Sequence, residues 1–317
     1  MGKKTGIKWL IIAVLVAVVI ALPFVTGSSY LRSLIISMCI YGIFAMSYDL
    51  LLGYTGIASF GHAIYFGLGA YILAYTTVKL HWNPIPALLL VVAVCIVVSF
   101  VISFISVRVK NLYFNMVTMA LGQLFYVLAT KLYKITGGDD GMPGVRNMFP
   151  NKMVFYVFIV ILLVAVYFFC HRLVNSPTGK VLQAIKNNEQ RVSLLGYNTL
   201  MFKMLIIQVS GIIAGIVGAF YVTHVGIAYP SLLHSSLTLQ ALFMVVLGGS
   251  GTLYGGIIGA VMMRLADSIL SRFTTRWMLI LGVIFIIVIL FFPKGTAGAL
   301  GKLFKKKKAV PKEETAV

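Results

Sequence analysis

The sequence predicts an all-α polytopic membrane protein, and three observations carry that prediction. Sixty per cent of the 317 residues are apolar and mean hydropathy is +1.01; a soluble chain needs far more polar surface to cover its core. Only 10% of residues are charged, 26 Lys and Arg against 7 Asp and Glu, where a soluble domain carries about 25%. The apolar residues also form unbroken runs, which suits helices and not the alternation of a β-barrel. A soluble enzyme, a secreted disulfide scaffold and a disordered chain are all excluded. Cys39, Cys95 and Cys170 each sit inside an apolar run without metal-ligand spacing, and read as small buried hydrophobes.

A helical crossing needs about 20 apolar residues. Taken in order, the candidates are 9–25, 33–52, 57–78, 86–107, 112–132, 153–170 and 204–223. The first lacks a clear small-x-small cleavage site and reads as a retained span. Two shorter halves follow, 237–247 and 252–263, split by Gly248-Gly249-Ser250-Gly251, and 277–292 is the last span. The two halves either both cross, giving ten crossings, or form a re-entrant pair, giving eight; irregular backbone is allowed at membrane depth where protein covers it. Arg264 and Asp267 fall near expected span ends.

Charge sets the orientation. With the N-terminus in the cytoplasm, 17 basic residues fall on inner segments and 8 on outer ones, as the positive-inside rule requires. Both termini are then cytoplasmic. The net charge of +19 is explained by topology and by contact with anionic lipid along Lys305 to Lys308, so nucleic acid is not expected as a partner. The chain divides into residues 1–33 (N-terminal end and first span), a transmembrane domain over 34–292, and a basic tail over 293–317.

The most polar inner stretch is 172–203. Ser176 is a plausible N-cap and Pro177 a good first helical residue. Val181, Leu182, Ile185, Val192 and Leu195 fall near one face, and Gly196 suits a helix end. The stretch reads as a pair of short amphipathic helices, either an ordinary membrane-surface loop or a docking element. Two glycine-rich breaks, Gly53 to Gly61 and Gly248 to Gly256, either pack helices closely or line a polar path. Asp49 is the only acid in the first hundred residues. It reads as a snorkelling or Lys110-paired carboxylate, or as a transport residue. His62 reads as a buried histidine, with no second ligand at metal spacing.

Four stretches together resemble one family. Ser176-Pro177, Gly179-Lys180, Ala184-Ile185-Lys186, Glu189 and Leu195-Gly196 form the first. The second runs Leu51-Leu52-Gly53-Tyr54-Thr55-Gly56-Ile57-Ala58-Ser59-Phe60-Gly61-His62-Ala63. The third comprises Tyr113-Phe114, Val117-Thr118-Met119-Ala120 and Thr136-Gly137-Gly138 with Gly141. The fourth runs from Met244 to Gly255 through Gly248, Gly249 and Gly251. Over roughly 34–292 the chain resembles the permeases of ATP-binding cassette importers for branched-chain amino acids, specifically the M-type subunit of the heterodimer. Three departures stand out. Asp49 replaces a usual Asn, Arg191 to Leu194 replace an alanine- and acid-rich run, and Asp139-Asp140 replace small or polar residues.

The resemblance implies a subunit in a bacterial or archaeal inner membrane. It implies a second permease chain, two cytoplasmic ATPase subunits and an extracytoplasmic binding protein as partners. The 176–197 loop would seat on the ATPase, and Gly53, Tyr54, Thr55, Gly56, Ser59, Gly61, His62, Gly248, Gly249 and Gly251 would lie along the translocation path. Related permeases carry urea, amides or nucleosides, which keeps those cargoes open. The residues themselves show no phosphate-binding loop, nucleophile elbow or paired catalytic carboxylates. No catalytic residue, metal or cofactor is therefore expected, and ATP would be bound by partner subunits. The rivals are an ion-coupled secondary transporter, which needs ionisable groups near mid-membrane, and a lipid-modifying enzyme.

Overall fold

The computed structural model describes residues 28–109, 112–145, 147–149, 151–273, 276, 279, 280, 282 and 283. The expected first and last spans at 9–25 and 277–292, the basic tail, and Lys110 lie wholly or largely outside these residues. Six described helices are long and apolar enough to cross a membrane. In chain order, α1 is Ser29–Thr55, followed by the shorter α2 (Ala63–Val78), then α3 (Pro84–Ser106) and α4 (Leu112–Lys131). A helical turn, α5 (Tyr133–Thr136), leads outside the membrane to β1 (Met142–Pro143). Next come α6 (Lys152–Asn175), the short pair α7 (Pro177–Asn187) and α8 (Glu189–Leu194), and the long α9 (Thr199–Val225). β2 (Ile227–Ala228) precedes α10 (Ser235–Gly248) and α11 (Leu253–Phe273). This is an all-α polytopic membrane protein; β1 and β2 make only a two-residue antiparallel bridge, Met142 opposite Ala228.

α1 is the centre. From Cys39 to Leu51 every residue is buried, because α6, α9, α10 and α11 surround it. α9 packs against α2, α3 and α1. Lipid offers no hydrophobic gain for helix association, so close backbone approach does that work. A Cβ on Gly69 of α2 would fall on the Gly215 carbonyl of α9, and one on Gly218 would fall on the Phe66 carbonyl. The apolar side chains of α3 and α4, such as Leu89, Val97, Met116 and Leu124, point outward, where lipid is the expected neighbour.

Two expectations change. The span expected over 57–78 becomes a helix only at Ala63. Gly56 takes a left-handed turn (φ 74°) that ends α1, and the chain then doubles back. His62 Nε2 bonds Ser47 Oγ at 2.9 Å, and Ser47 is eight residues up α1 from Thr55, a rise of about 12 Å. α2 thus starts inside the membrane and is about 24 Å long, shorter than a ~30 Å core. α10, at about 21 Å, starts inside too, since the Thr238 hydroxyl accepts from the Ala63 amide at 2.8 Å.

The second change concerns the expected half at 252–263. It continues to Phe273, so Arg264 and Asp267 lie in the middle of α11 and not near a span end. The physical reason is pairing: Arg264 Nη1 donates to Asp267 Oδ2 at 3.0 Å and Nη2 to Gln240 Oε1 at 3.1 Å. Its guanidinium also lies 3.5 Å from the Tyr41 ring centroid. Paired charges do not have to end a membrane helix.

Candidate coupling face and glycine breaks

Ser176 caps α7 by accepting from the Gly179 amide at 3.2 Å, with Pro177 at the first helical position. Gly179 lies so close to the end of α6 that a Cβ would strike the Leu173 and Val174 carbonyls. Leu182 and Ile185 face the protein, while Lys180 and Ala184 are exposed. The helix stops at Asn188, whose side chain accepts from the Arg191 amide at 3.0 Å and starts α8. Glu189 holds Lys203 of α9 at 2.6 Å.

The restart at Asn188 turns Leu195 away from the face shared by Leu182 and Ile185, correcting the single-face reading. Leu194 is 89% exposed and Leu195 71%. Gly196 follows with φ 87°, and Tyr197 and Met201 complete an outward-facing apolar tip.

α7 also reaches inward. Lys186 Nζ donates to the Gly53 carbonyl at 2.5 Å. Gly53 in turn touches two groups: a Cβ there would fall on the Asp49 carboxylate and on the Gly251 amide. Asp49 Oδ1 accepts from that same Gly251 amide at 2.8 Å. Asp49 is 0% exposed, so it does not snorkel; the expected pairing with Lys110 lies outside the described residues. The two glycine breaks, about two hundred residues apart in sequence, are therefore one contact, with the α7 lysine bonded to it.

The remaining candidate residues divide by position. Thr55 and Gly56 line a cavity of about 430 Å³ together with Lys186, Asn187, Glu189 and Lys203. Tyr54, Lys180 and Gly251 share a recess of about 260 Å³ with Tyr167. Gly61 packs on the Thr118 carbonyl and Gly248 on the Gly255 carbonyl. Gly249 (φ 110°) and Gly251 (φ 79°) form the turn between α10 and α11. Ser59 is buried. His62 is enclosed by the rings of Phe44, Tyr48 and Tyr65. The Ser47 hydroxyl lies within hydrogen-bond distance of both the Phe44 carbonyl and His62 Nε2.

Sequence reasoning missed Lys186 as the link and the α8 tip as an apolar surface. The exposed leucines sit among charges, and only the Asn188 cap signals that α7 ends before them.

The comparisons with known proteins now have a site to refer to. The sequence model of the family described as "Branched-chain amino acid transport system / permease component" matches residues 29–289. The chain belongs to that family. It is accordingly a multi-pass membrane transport component of a larger system. It is 24% identical to the high-affinity branched-chain amino acid transport system permease protein LivM of Escherichia coli K12, covering 99% of this chain and 80% of that protein. It is also 24% identical to the probable branched-chain amino acid transport permease protein LivM of Methanocaldococcus jannaschii, covering 81% of this chain and 90% of that one. No solved structure matches.

Proposed function

We propose that this permease is driven by ATPase subunits of an ATP-binding cassette importer, which dock at 176–197 and act through the Lys186–Gly53–Gly251 contact. The observation that carries the proposal is the bond from Lys186 to Gly53. A surface loop with no mechanical role has no reason to tie an exposed helix to the contact between the two glycine breaks. The apolar tip at Leu194, Leu195, Tyr197 and Met201 supplies the kind of surface a protein partner covers.

A second permease chain completes the path in this reading, and a binding protein delivers cargo from outside. ATP is bound by the partners. The family description favours branched-chain amino acids over urea, amides or nucleosides as cargo. Movement of α7 then displaces Gly53, and with it the ends of α1, α10 and α11.

The test is coexpression with the ATPases. Deleting 180–195, or making Gly196→Arg at its left-handed position, is expected to abolish ATPase copurification while the permease still inserts. Intact copurification sinks the docking assignment. Uptake by the permease chains alone, driven by a proton or sodium gradient, would favour the secondary-transporter reading.

A further inference from the structure

The outer half of the molecule holds a groove of about 390 Å³ between α1 and α11, lined by Leu34 and Tyr30 together with four serines, Arg264 and Asp267. α1 contributes Tyr30, Ser33 and Ser37, spaced along one helical face. α11 contributes Arg264, Asp267, Ser268 and Ser271, again on one face. The exposed apolar residues of α11, Leu265, Ile269 and Phe273, project from the other side of the helix. Lipid contact is thus already accounted for, and a face bearing an Arg–Asp pair at mid-helix is too costly to offer to hydrocarbon.

The pair is also incompletely used. Arg264 commits Nη1 to Asp267 and Nη2 to Gln240, and its guanidinium stacks on Tyr41. Its Nε and Asp267 Oδ1 are buried without hydrogen-bond partners, while the two side chains as a whole are 17% and 20% exposed. A partly exposed cation and a partly exposed anion thus line the same groove, one helical turn apart. That is the complement of a zwitterion, whose carboxylate accepts and whose ammonium donates.

We propose that the α1–α11 groove is this subunit's wall of the translocation path, and that Arg264 and Asp267 contact the carboxylate and ammonium groups of a passing amino acid. The proposal rests on the transport reading above and adds the face and residues that meet the cargo.

The test uses the full chain in the assembled transporter, with Cys39, Cys95 and Cys170 replaced by Ala. Ser37→Cys, Ser268→Cys and Ser271→Cys are expected to react with a small charged thiol reagent added from outside, like a reference Asp140→Cys on the outer loop. Leu265→Cys and Ile269→Cys are expected to stay unmodified. Unreactive cysteines at 37 and 268 mean that protein or lipid seals the groove, and overturn the path assignment.

The cargo contact is tested separately with leucine uptake at saturating binding protein. Arg264→Gln should cut the rate roughly 10- to 100-fold, the value of a hydrogen bond to a charged group. Arg264→Lys should recover much of it, and Ser37→Cys labelling should persist in both. Wild-type uptake by Arg264→Gln overturns the contact. If the unaltered transporter carries no amino acid yet the cysteines label as expected, the cargo reading fails while the water-filled groove stands.

Discussion

Gly53→Ala is the most informative single substitution. The added methyl would sit 2.8 Å from Asp49 Cγ and closer still to the Asp49 carboxylate oxygen and the Gly251 amide, so the Asp49–Gly251 bond must break or the α10–α11 turn must move. Losing a hydrogen bond to a charged group costs about 1.5–3 kcal/mol. Forcing the packed turn aside adds about 1–3 kcal/mol. Alanine's better helix propensity returns about 1 kcal/mol. Where both costs are incurred the net loss is roughly 1.5–5 kcal/mol. Gly42→Ala in the same helix is the control: its methyl would meet Leu163 Cδ1 at 3.5 Å and Ile257 at 3.7 Å, ordinary contacts, so only the propensity gain applies. Thermal melting of the purified protein in detergent should put Gly53→Ala well below the unaltered protein and Gly42→Ala at or above it. If Gly53→Ala melts with Gly42→Ala, the contact between the two breaks is not tight and the reasoning fails.

Three further outcomes follow from the same geometry. Lys186→Met removes the bond to Gly53 while leaving the apolar tip intact, so ATPase copurification should persist and ATP-driven uptake should fall about 5-fold or more, the scale of a typical coupling energy; uptake with quantified ATPase occupancy checks it. Asp49→Asn keeps an oxygen for the Gly251 amide and should melt close to the unaltered protein, whereas Asp49→Ala should lose about 1–3 kcal/mol for the orphaned amide; paired melts separate the two. Ser47→Ala strips His62 of its one hydrogen-bond partner inside an aromatic enclosure and should cost about 1–3 kcal/mol, visible as a lowered midpoint that Ser47→Thr, which restores a hydroxyl, partly recovers.

Much of the fold is legible in the sequence because hydropathy and punctuation are local. Glycines at 53, 56 and 61 mark a break, and Ser176-Pro177 marks a helix start. What is not legible depends on partners distant along the chain. Arg264 reads as a span boundary until Asp267, Gln240 and Tyr41 are seen to satisfy it. Asp49 reads as a stray carboxylate until Gly251 is brought beside it. The short start of α2 is hidden because 57–62 is apolar enough to be helix, while its amides at Phe60 and Ala63 are satisfied by the hydroxyls of Thr118 and Thr238. The candidate site follows the same division: its residues are readable, but their grouping into one contact is not.

The small β1–β2 bridge has a mechanical meaning. It fixes the outer loop to the end of α9, where the Gly144 and Val145 amides also bond the Gly226 carbonyl at 3.1 and 3.2 Å. The other end of α9 is pinned to the coupling pair through Lys203 and Glu189. Between these anchors run 27 helical residues, a rod of about 40 Å that cannot shorten without breaking its own hydrogen bonds. α9 therefore acts as a strut clamped at both membrane surfaces. A tilt at its outer end would reach its inner end, where Lys203 meets Glu189, as displacement of a rod that packs against α1, α2 and α3 along its length.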